Sequence, residues 1–514
     1  MFGARIITIA ASLNLVLLVS GCAVGPDFKP AARPDVEGYT KEALPAQTVS
    51  ANTPNGQSQK FVKGLDIPAE WWALFRSRKL NALIERSLKT NPSLEASLAA
   101  LREAQENVRA QEGKFFPLVQ GNFNPVREQT PNALASPLAS GATVFNIVTT
   151  QVVVSYTFDI WGQNRRAVEA LQAQANSQQF QLQAAHLTLA SNVALATIQE
   201  ASLREQIAAT RDLIGINTKM LDILRRQLTA GYANRIDVAA QEAQLAQMVA
   251  TLPPLQKQLE QQRDFISALA GRYPSEEPAE TFMLSEFRLP RDLPVSLPSK
   301  LVEQRPDVRA AEELMHSASA QVGVAVANML PNFSVNANAG YTATALANLG
   351  SYFSPTNEFF SLAGNATQTI FDGFTLLHQK RAAEAAFDQA AAQYRATVIG
   401  SLQNVADTLH ALQSDANSLK AAAEFQNAAK ISFDLVRQQF NSGYANVLLL
   451  LNSEQAYLQA RVAVIQARAN RLSDTVALFQ SLGGGWWSSE DGTAQLRTLE
   501  SYTHPAADNE FARQ

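Results

Sequence analysis

Cysteine is almost missing from this chain: among 514 residues there is one, Cys22. A single thiol makes neither an intrachain disulfide nor a cysteine-rich metal site. The five histidines, His186, His316, His378, His410 and His504, stand far apart, which argues against a metalloenzyme. Charge of both signs is sparse, at 17% against about 25% in ordinary soluble chains. With 42 Lys+Arg against 46 Asp+Glu the net charge is −4, so no basic excess is available to meet nucleic acid. No Gly-x-x-x-x-Gly-Lys-Ser/Thr run cradles a nucleotide phosphate,. No group of His, Cys, Ser or carboxylates has catalytic spacing. The expectation is a protein that is not an enzyme and carries no cofactor or metal.

What is present begins at the N-terminus. Residues 1–21 carry Arg5, an apolar run from Ile6 to Val19, and Val19-Ser20-Gly21 before Cys22, the layout of a secretory signal. The run falls short of the ~20 residues a transmembrane helix needs. Small residues directly before the only cysteine resemble a bacterial lipobox, which makes Cys22 the lipidation residue and the first residue of the mature chain. Ala23 follows in place of an aspartate, which in bacterial lipoproteins implies sorting to the outer membrane. Residues 22–67 are rich in Pro, Gly, Ser, Thr, Asn and Gln without a sustained period, and read as an extended lipidated tether. Residues 488–514 form a polar tail,.

Between these ends the chain repeats itself. Asn91-Pro92 answers to Arg305-Pro306 and Phe116-Pro117 to Leu330-Pro331, both at an offset of 214. Phe158-Asp159 answers to Phe371-Asp372, and Gly231-Tyr232-Ala233-Asn234 recurs as Gly443-Tyr444-Ala445-Asn446. Four anchors in one order predict two structural repeats, 76–290 and 291–487. Residues 163–230 and 374–442 lack proline and are rich in Ala, Gln and Leu; as single helices each extends about 100 Å. Each ends at a Gly-Tyr-Ala-Asn turn, followed by a returning helix, so that helical hairpins are expected over 163–271 and 374–483. Pro253-Pro254 predicts a kink or break in the first returning helix alone,.

Period 2 replaces this pattern in four segments, about 117–127, 148–159, 331–342 and 359–371. In 331–342, Phe333, Val335, Ala337, Ala339 and Tyr341 alternate with Ser334, Asn336, Asn338, Gly340 and Thr342. Strands of about 10 residues with an uncharged polar second face suit a membrane barrel with a wet lumen, and also the edge of a soluble sandwich. Four strands cannot close a barrel, and open edges in lipid are costly, so subunits must share one. Two copies supply eight strands and three supply twelve; spacing does not choose between them.

At this point the sequence resembles a known family, the TolC-like outer-membrane channels of tripartite efflux systems, in their OprM/NodT-type lipoprotein branch. The likeness is carried by Gly21-Cys22-Ala23-Val24-Gly25-Pro26-Asp27-Phe28, Trp71-Trp72 with Phe75 and Leu80, Asn91-Pro92, Phe158-Asp159 with Trp161-Gly162, both Gly-Tyr-Ala-Asn turns, and Leu482-Gly483-Gly484-Gly485-Trp486. The resemblance implies a mostly α fold with β: a homotrimer with a 12-stranded transmembrane β-barrel, four strands per chain, continued by a periplasmic α-helical barrel. It implies a passive outer-membrane exit duct for drugs or small toxic solutes, spanning the membrane and lipid-anchored in it. The implied partners are a periplasmic adaptor and a proton-driven inner-membrane pump. A conduit for type I protein secretion or heavy-metal efflux would share every one of these features, and a periplasmic coiled-coil scaffold shares the helices alone.

The family's aperture maps onto Val447-Leu448-Leu449-Leu450-Leu451-Asn452 after the second turn. Coiled-coil packing accounts for most of these leucines. By resemblance, Leu448 and Asn452 are the periplasmic gate, where threefold symmetry makes an inward side chain a ring that blocks by dewetting. Family members commonly carry an aspartate at the position of Asn452, so a charged ring is not carried over. The turns themselves, Gly231-Tyr232 and Gly443-Tyr444, are the expected adaptor docking sites beside their capping role. Phe115, Phe116, Phe123, Tyr341, Phe359 and Phe360 are candidates for an aromatic girdle at the bilayer surface.

Overall fold

The computed structural model describes residues 23–488 except 37, 43, 132, 134–140 and 345–348. The leader 1–21, Cys22 and all of the 488–514 tail but Ser488 lie outside the described residues. In chain order the elements are strand β1 (Lys60–Lys63), helices α1 (Arg78–Thr90) and α2 (Pro92–Glu112), strands β2 (Leu118–Gln129) and β3 (Val144–Phe158), helices α3 (Gln163–Thr229) and α4 (Arg235–Leu269), strand β4 (Asp292–Val295), helices α5 (Pro298–Gln304) and α6 (Pro306–Ala327), strands β5 (Asn332–Ala343) and β6 (Glu358–Thr367), and helices α7 (Thr375–Asn441) and α8 (Val447–Ser481). The fold is mostly helical with some sheet. Helices α3 and α7 have 67 residues each, α4 and α8 35 each. The chain divides into two compact units, one from residues up to 31, 100–178 and 311–394, the other from 32–99, 179–310 and 395 onward. Each draws on both halves of the sequence.

The first unit holds an antiparallel sheet in the order β2-β3-β5-β6. Its register sorts side chains by polarity. Val119, Val154, Ala337 and Leu362 lie in one cross-strand row, and Gly121, Val152, Ala339 and Phe360 in the next. The other face carries Asn122, Gln151 and Gly340 in one row, and Leu118, Ser155, Asn336 and Ala363 in another. Because side chains alternate with period 2, one face is apolar and the other is dominated by Asn, Gln, Ser and Thr. The outer strands β2 and β6 each have one edge with no partner strand among the described residues, and β2 is exposed along its whole length.

Phe359 departs from the sequence expectation: its partner Gly340 puts it on the polar face, whereas Phe123, Tyr341 and Phe360 share the apolar one. The fourth strand is also shorter than the period-2 reading, ending at Thr367 and not near Phe371. Asp372 explains the difference, because its Oδ2 accepts from the Leu376 amide at 2.9 Å and starts α7. Asp159 does the same for α3, accepting from the Asn164 and Arg165 amides at 2.8 and 3.0 Å. The repeated Phe-Asp pair is a helix cap.

The second unit contains the parallel pair β1–β4. Strand β1 lies within the stretch that composition left without regular structure. Around this pair, Thr48, Gln57, Gln59 and Asn55 all accept hydrogen bonds from the fully buried Arg471 guanidinium of α8, at 2.6 to 3.3 Å. The main core, largely Leu, Ile, Val and Ala, includes an aromatic group with Trp71 stacked on Phe479 at 5.5 Å and Phe75 edge-on to both.

Two joints in this unit give the other anchors a physical meaning. Asn91 Nδ2 donates to the Leu269 carbonyl at 3.0 Å, at the end of α4, and Pro92 then starts α2. Arg305 Nη1 likewise donates to the Ser481 carbonyl at 2.9 Å, at the end of α8, and Pro306 starts α6. One side chain caps the orphan carbonyls of one helix while the following proline opens the next. The break expected at Pro253-Pro254 does not occur, since α4 runs continuously through both. Val249 and Ala250, whose carbonyls lose their amide partners to the two prolines, are exposed residues, where the lost bonds are tolerated.

Candidate functional site

The hairpin ends of the second unit are built from two short turns. Helix α3 closes with Gly231 at φ +80° and α7 with Gly443 at +79°. Tyr232 donates its amide to the Gln227 carbonyl at 2.8 Å and Gly231 to Leu228 at 3.1 Å; Tyr444 reaches Gln439 at 2.9 Å and Gly443 reaches Phe440 at 3.0 Å. This paired 6→1 and 5→2 pattern is the Schellman motif, which needs a residue free to adopt the left-handed region. Three residues on, Asn234 and Asn446 accept from the Asp237 and Leu449 amides at 2.8 Å each and start the returning helices. Gly and Asn thereby complete both ends of the turn. The tyrosine side chains take no part and stand 86% and 87% exposed.

Both hairpin ends meet in one cluster of Met220, Leu221, Leu224, Val238, Phe433, Val436, Phe440, Val447, Leu450 and Leu451. The leucine run therefore divides. Leu450 and Leu451 point into this core at 1% and 8% exposure, while Leu448 is 66% exposed. Asn452 is exposed too, and at four residues' distance it shares one helix face with Leu448. The structure thus brings together, at one end of the second unit, the residues that the sequence assigned to gate and docking: Leu448, Asn452, Gly231, Tyr232, Gly443 and Tyr444. Among the described residues no group of three or more His, Cys, Asp or Glu is placed to hold a metal ion. No helix among them is long and apolar enough to cross a membrane.

Sequence reasoning missed the polar residues beneath this end. Asn217 and Gln241 are fully buried and Glu454 is 2% exposed. Gln241 Nε2 donates to Asn217 Oδ1 at 2.6 Å, and Asn217 Nδ2 donates to Glu454 Oε1 at 2.6 Å. The available signal was one polar residue on each of three helices, far apart in sequence. A second cluster, in the first unit, holds the segment that follows Cys22. Arg166 bonds Asp27 at 2.6 Å, Glu169 at 2.8 Å and the Val24 carbonyl at 3.2 Å. The Val24 amide donates to Trp161 O at 3.0 Å. A side chain on Gly25 would meet the Gly323 backbone of α6 at 2.4 Å.

A profile of the outer membrane efflux protein family matches residues 83–272 and 297–484. The pyoverdine export outer membrane protein OpmQ of Pseudomonas putida is 25% identical over 437 residues, which cover 84% of this chain and 91% of that one. Among solved structures, the outer-membrane channel OprN superposes with a TM-score of 0.80 at 24% identity, covering 90% of this chain and 100% of that one. The CmeC outer membrane channel of Campylobacter jejuni gives a TM-score of 0.81 at 19% identity, covering 93% and 98%. With the profile accounting for well over half of its length, the chain belongs to the outer membrane efflux protein family.

Proposed function

We propose that three copies of the chain form a passive exit duct for small toxic solutes across the outer membrane. Each copy contributes its four strands to a 12-stranded barrel, with its apolar face toward lipid and its Asn, Gln, Ser and Thr face toward the lumen. The observation that carries this reading is the face-sorted sheet with two unpaired edges. Such edges are untenable in hydrocarbon unless a neighbouring copy pairs with them. The two helical hairpins continue the wall into the periplasm, where a proton-driven inner-membrane pump hands over cargo through an adaptor docked at Tyr232 and Tyr444. Leu448 and Asn452 form rings at the periplasmic aperture, Leu448 as a dewetting constriction. Cys22 carries the lipid anchor.

The repeated anchors and the two segments matched by the family profile support an internal duplication. The name of OpmQ, a pyoverdine exporter, supports a small-molecule cargo over a protein one. Native mass spectrometry of detergent-extracted protein is expected to return three copies, and electron images a central bore. Single copies without a bore would overturn the reading.

A further inference from the structure

Where strands β3 and β5 meet the helices of the first unit, a cavity of about 440 Å³ lies against the first turn of α3, between the ends of α2 and α6. That volume falls within the range of small-molecule sites. Its apolar floor is Ile160, Ala167, Val324, Ala327 and Leu330. Its polar wall includes Gln111, Lys114, Asn164, Asn328 and Asn332.

Uncompensated charge in this wall is of one sign. Asp159, which also lines it, has both carboxylate oxygens engaged: Oδ1 accepts from the Asn164 amide at 2.8 Å, and Oδ2 from the Arg165 amide and guanidinium at 3.0 and 3.3 Å. Its charge is matched by Arg165. Lys114 is exposed and has no carboxylate at ion-pairing distance among the described residues. Gln111 Nε2 donates to Asn164 Oδ1 at 2.7 Å, which leaves Asn164 Nδ2, buried behind the wall, without an acceptor among the described residues. One free cation and an excess of donors above an apolar floor favour an anion with an apolar body over a cation or a neutral polar solute.

The cavity also lies on a definite side. Thr157 and Asn332 line it and belong to the polar face of the sheet, since Thr157 pairs with Ser334 between Asn332 and Asn336 on that face. On α3, Asn164 and Ala167 line the cavity, whereas Arg166 and Glu169, two positions on from each, belong to the cluster around Asp27 and Phe28. Two positions are about 200° around a helix. The cavity and the docked N-terminal segment therefore occupy opposite sides of α3.

We infer that this cavity is a binding site for organic anions in transit: Lys114 pairs with a carboxylate or similar group while an aromatic or aliphatic body rests on the apolar floor. The inference rests on the duct reading above, in which the polar face is the lumen wall, and it names a class of solute that the wall retains.

The test is calorimetric titration of the full-length, detergent-extracted protein with naphthoate, naphthalene methanol and naphthylmethylamine, joined to ion conductance in planar bilayers. Wild type is expected to bind naphthoate about tenfold more tightly than either analogue. Lys114→Ala is expected to lose that preference and Lys114→Arg to keep it. Ala167→Trp, which fills the floor, is expected to weaken naphthoate about tenfold or more. Naphthoate affinity unchanged in Lys114→Ala, or an amine bound as tightly as the acid, overturns the site. Lys114 is exposed, so its variants decide the matter if Ala167→Trp does not assemble. Naphthoate is also expected to lower the wild-type current at the concentrations where it binds, and a current it leaves unchanged overturns the placement in the lumen. Protein that binds naphthoate through Lys114 but passes no ions overturns the duct reading instead.

Discussion

Phe28 stacks on the imidazole of His316 with ring centroids 4.3 Å apart and planes 13° from parallel. The contact fixes the segment that follows Cys22 to α6. Burial works against a charge on His316, but hydrogen bonds to Glu169 and Glu313 and their negative charges outweigh it and push the group up to about 9. Because the folded state binds this proton more tightly than the unfolded state, the stabilisation is complete below about 6.5 and drains away as pH rises through about 9. Limited proteolysis within residues 24–36 is expected to accelerate about tenfold in His316→Ala at neutral pH, and in wild type near pH 10. Unchanged cleavage would remove His316 from the clasp. In cells, Cys22→Ser is expected to lose incorporation of labelled palmitate.

Arg471 makes a different prediction. Its guanidinium gathers four acceptors from residues 48–59 in the protein interior. Arg471→Ala removes the shared donor from all four acceptors, of which Thr48 Oγ1 keeps the Gln59 amide, and is expected to cost about 3–5 kcal/mol in a denaturant titration. Arg471→Lys is expected to recover only part, because three donors on one nitrogen cannot span the fork. A loss below about 1 kcal/mol in the alanine variant would show that the arm is held by its strand alone.

Capping and the proposed docking are separable by substitution at the turns. A side chain on Gly443 meets nothing within 4 Å, but its φ of +79° strains any residue with a Cβ. Gly443→Val is therefore expected to lower stability by about 1–2 kcal/mol through the backbone alone. Tyr444→Ala and Tyr232→Ala remove exposed rings that hydrogen-bond nothing in the turn. Their melting temperatures are expected to stay at the wild-type value while adaptor binding in pull-down assays falls. Retained binding in the double tyrosine variant would place docking elsewhere.

Two leucines in one run are expected to differ in kind. Leu450→Ala empties a site in the hairpin core and should cost about 2–5 kcal/mol. Leu448→Ala removes little packing, and should instead sensitise cells to large antibiotics by leak. Equal destabilisation by both would place Leu448 in the core of the assembly.

How far the sequence discloses this structure depends on the range over which each signal acts. Gly231 with Asn234, and Gly443 with Asn446, are local chemistry, so both turns and the long helices on either side were legible. Period 2 located the four long strands. It overran β6 because Ile370 and Phe371 prolong the apolar pattern, whereas Asp372 had already turned the backbone toward α7. Strand β1 stayed hidden because its partner β4 lies some 230 positions away and four residues carry no usable period. Arg471 and its acceptors are separated by more than 400 positions, and no window of sequence contains both. The site divides in the same way. Leu448 and Asn452 were singled out by the family resemblance, at positions just after a turn, while Glu454 has meaning only once Asn217 is beside it.

The joints at Asn91 and Arg305 carry a mechanical consequence. Where α4 gives way to α2, and α8 to α6, the backbone ladder is interrupted and side-chain hydrogen bonds bridge the gap, while α3 and α7 have no such seam. Bending at a seam stretches replaceable side-chain links and leaves each helix's own amides paired. A bend is therefore expected to fall at such a joint before it falls within a helix.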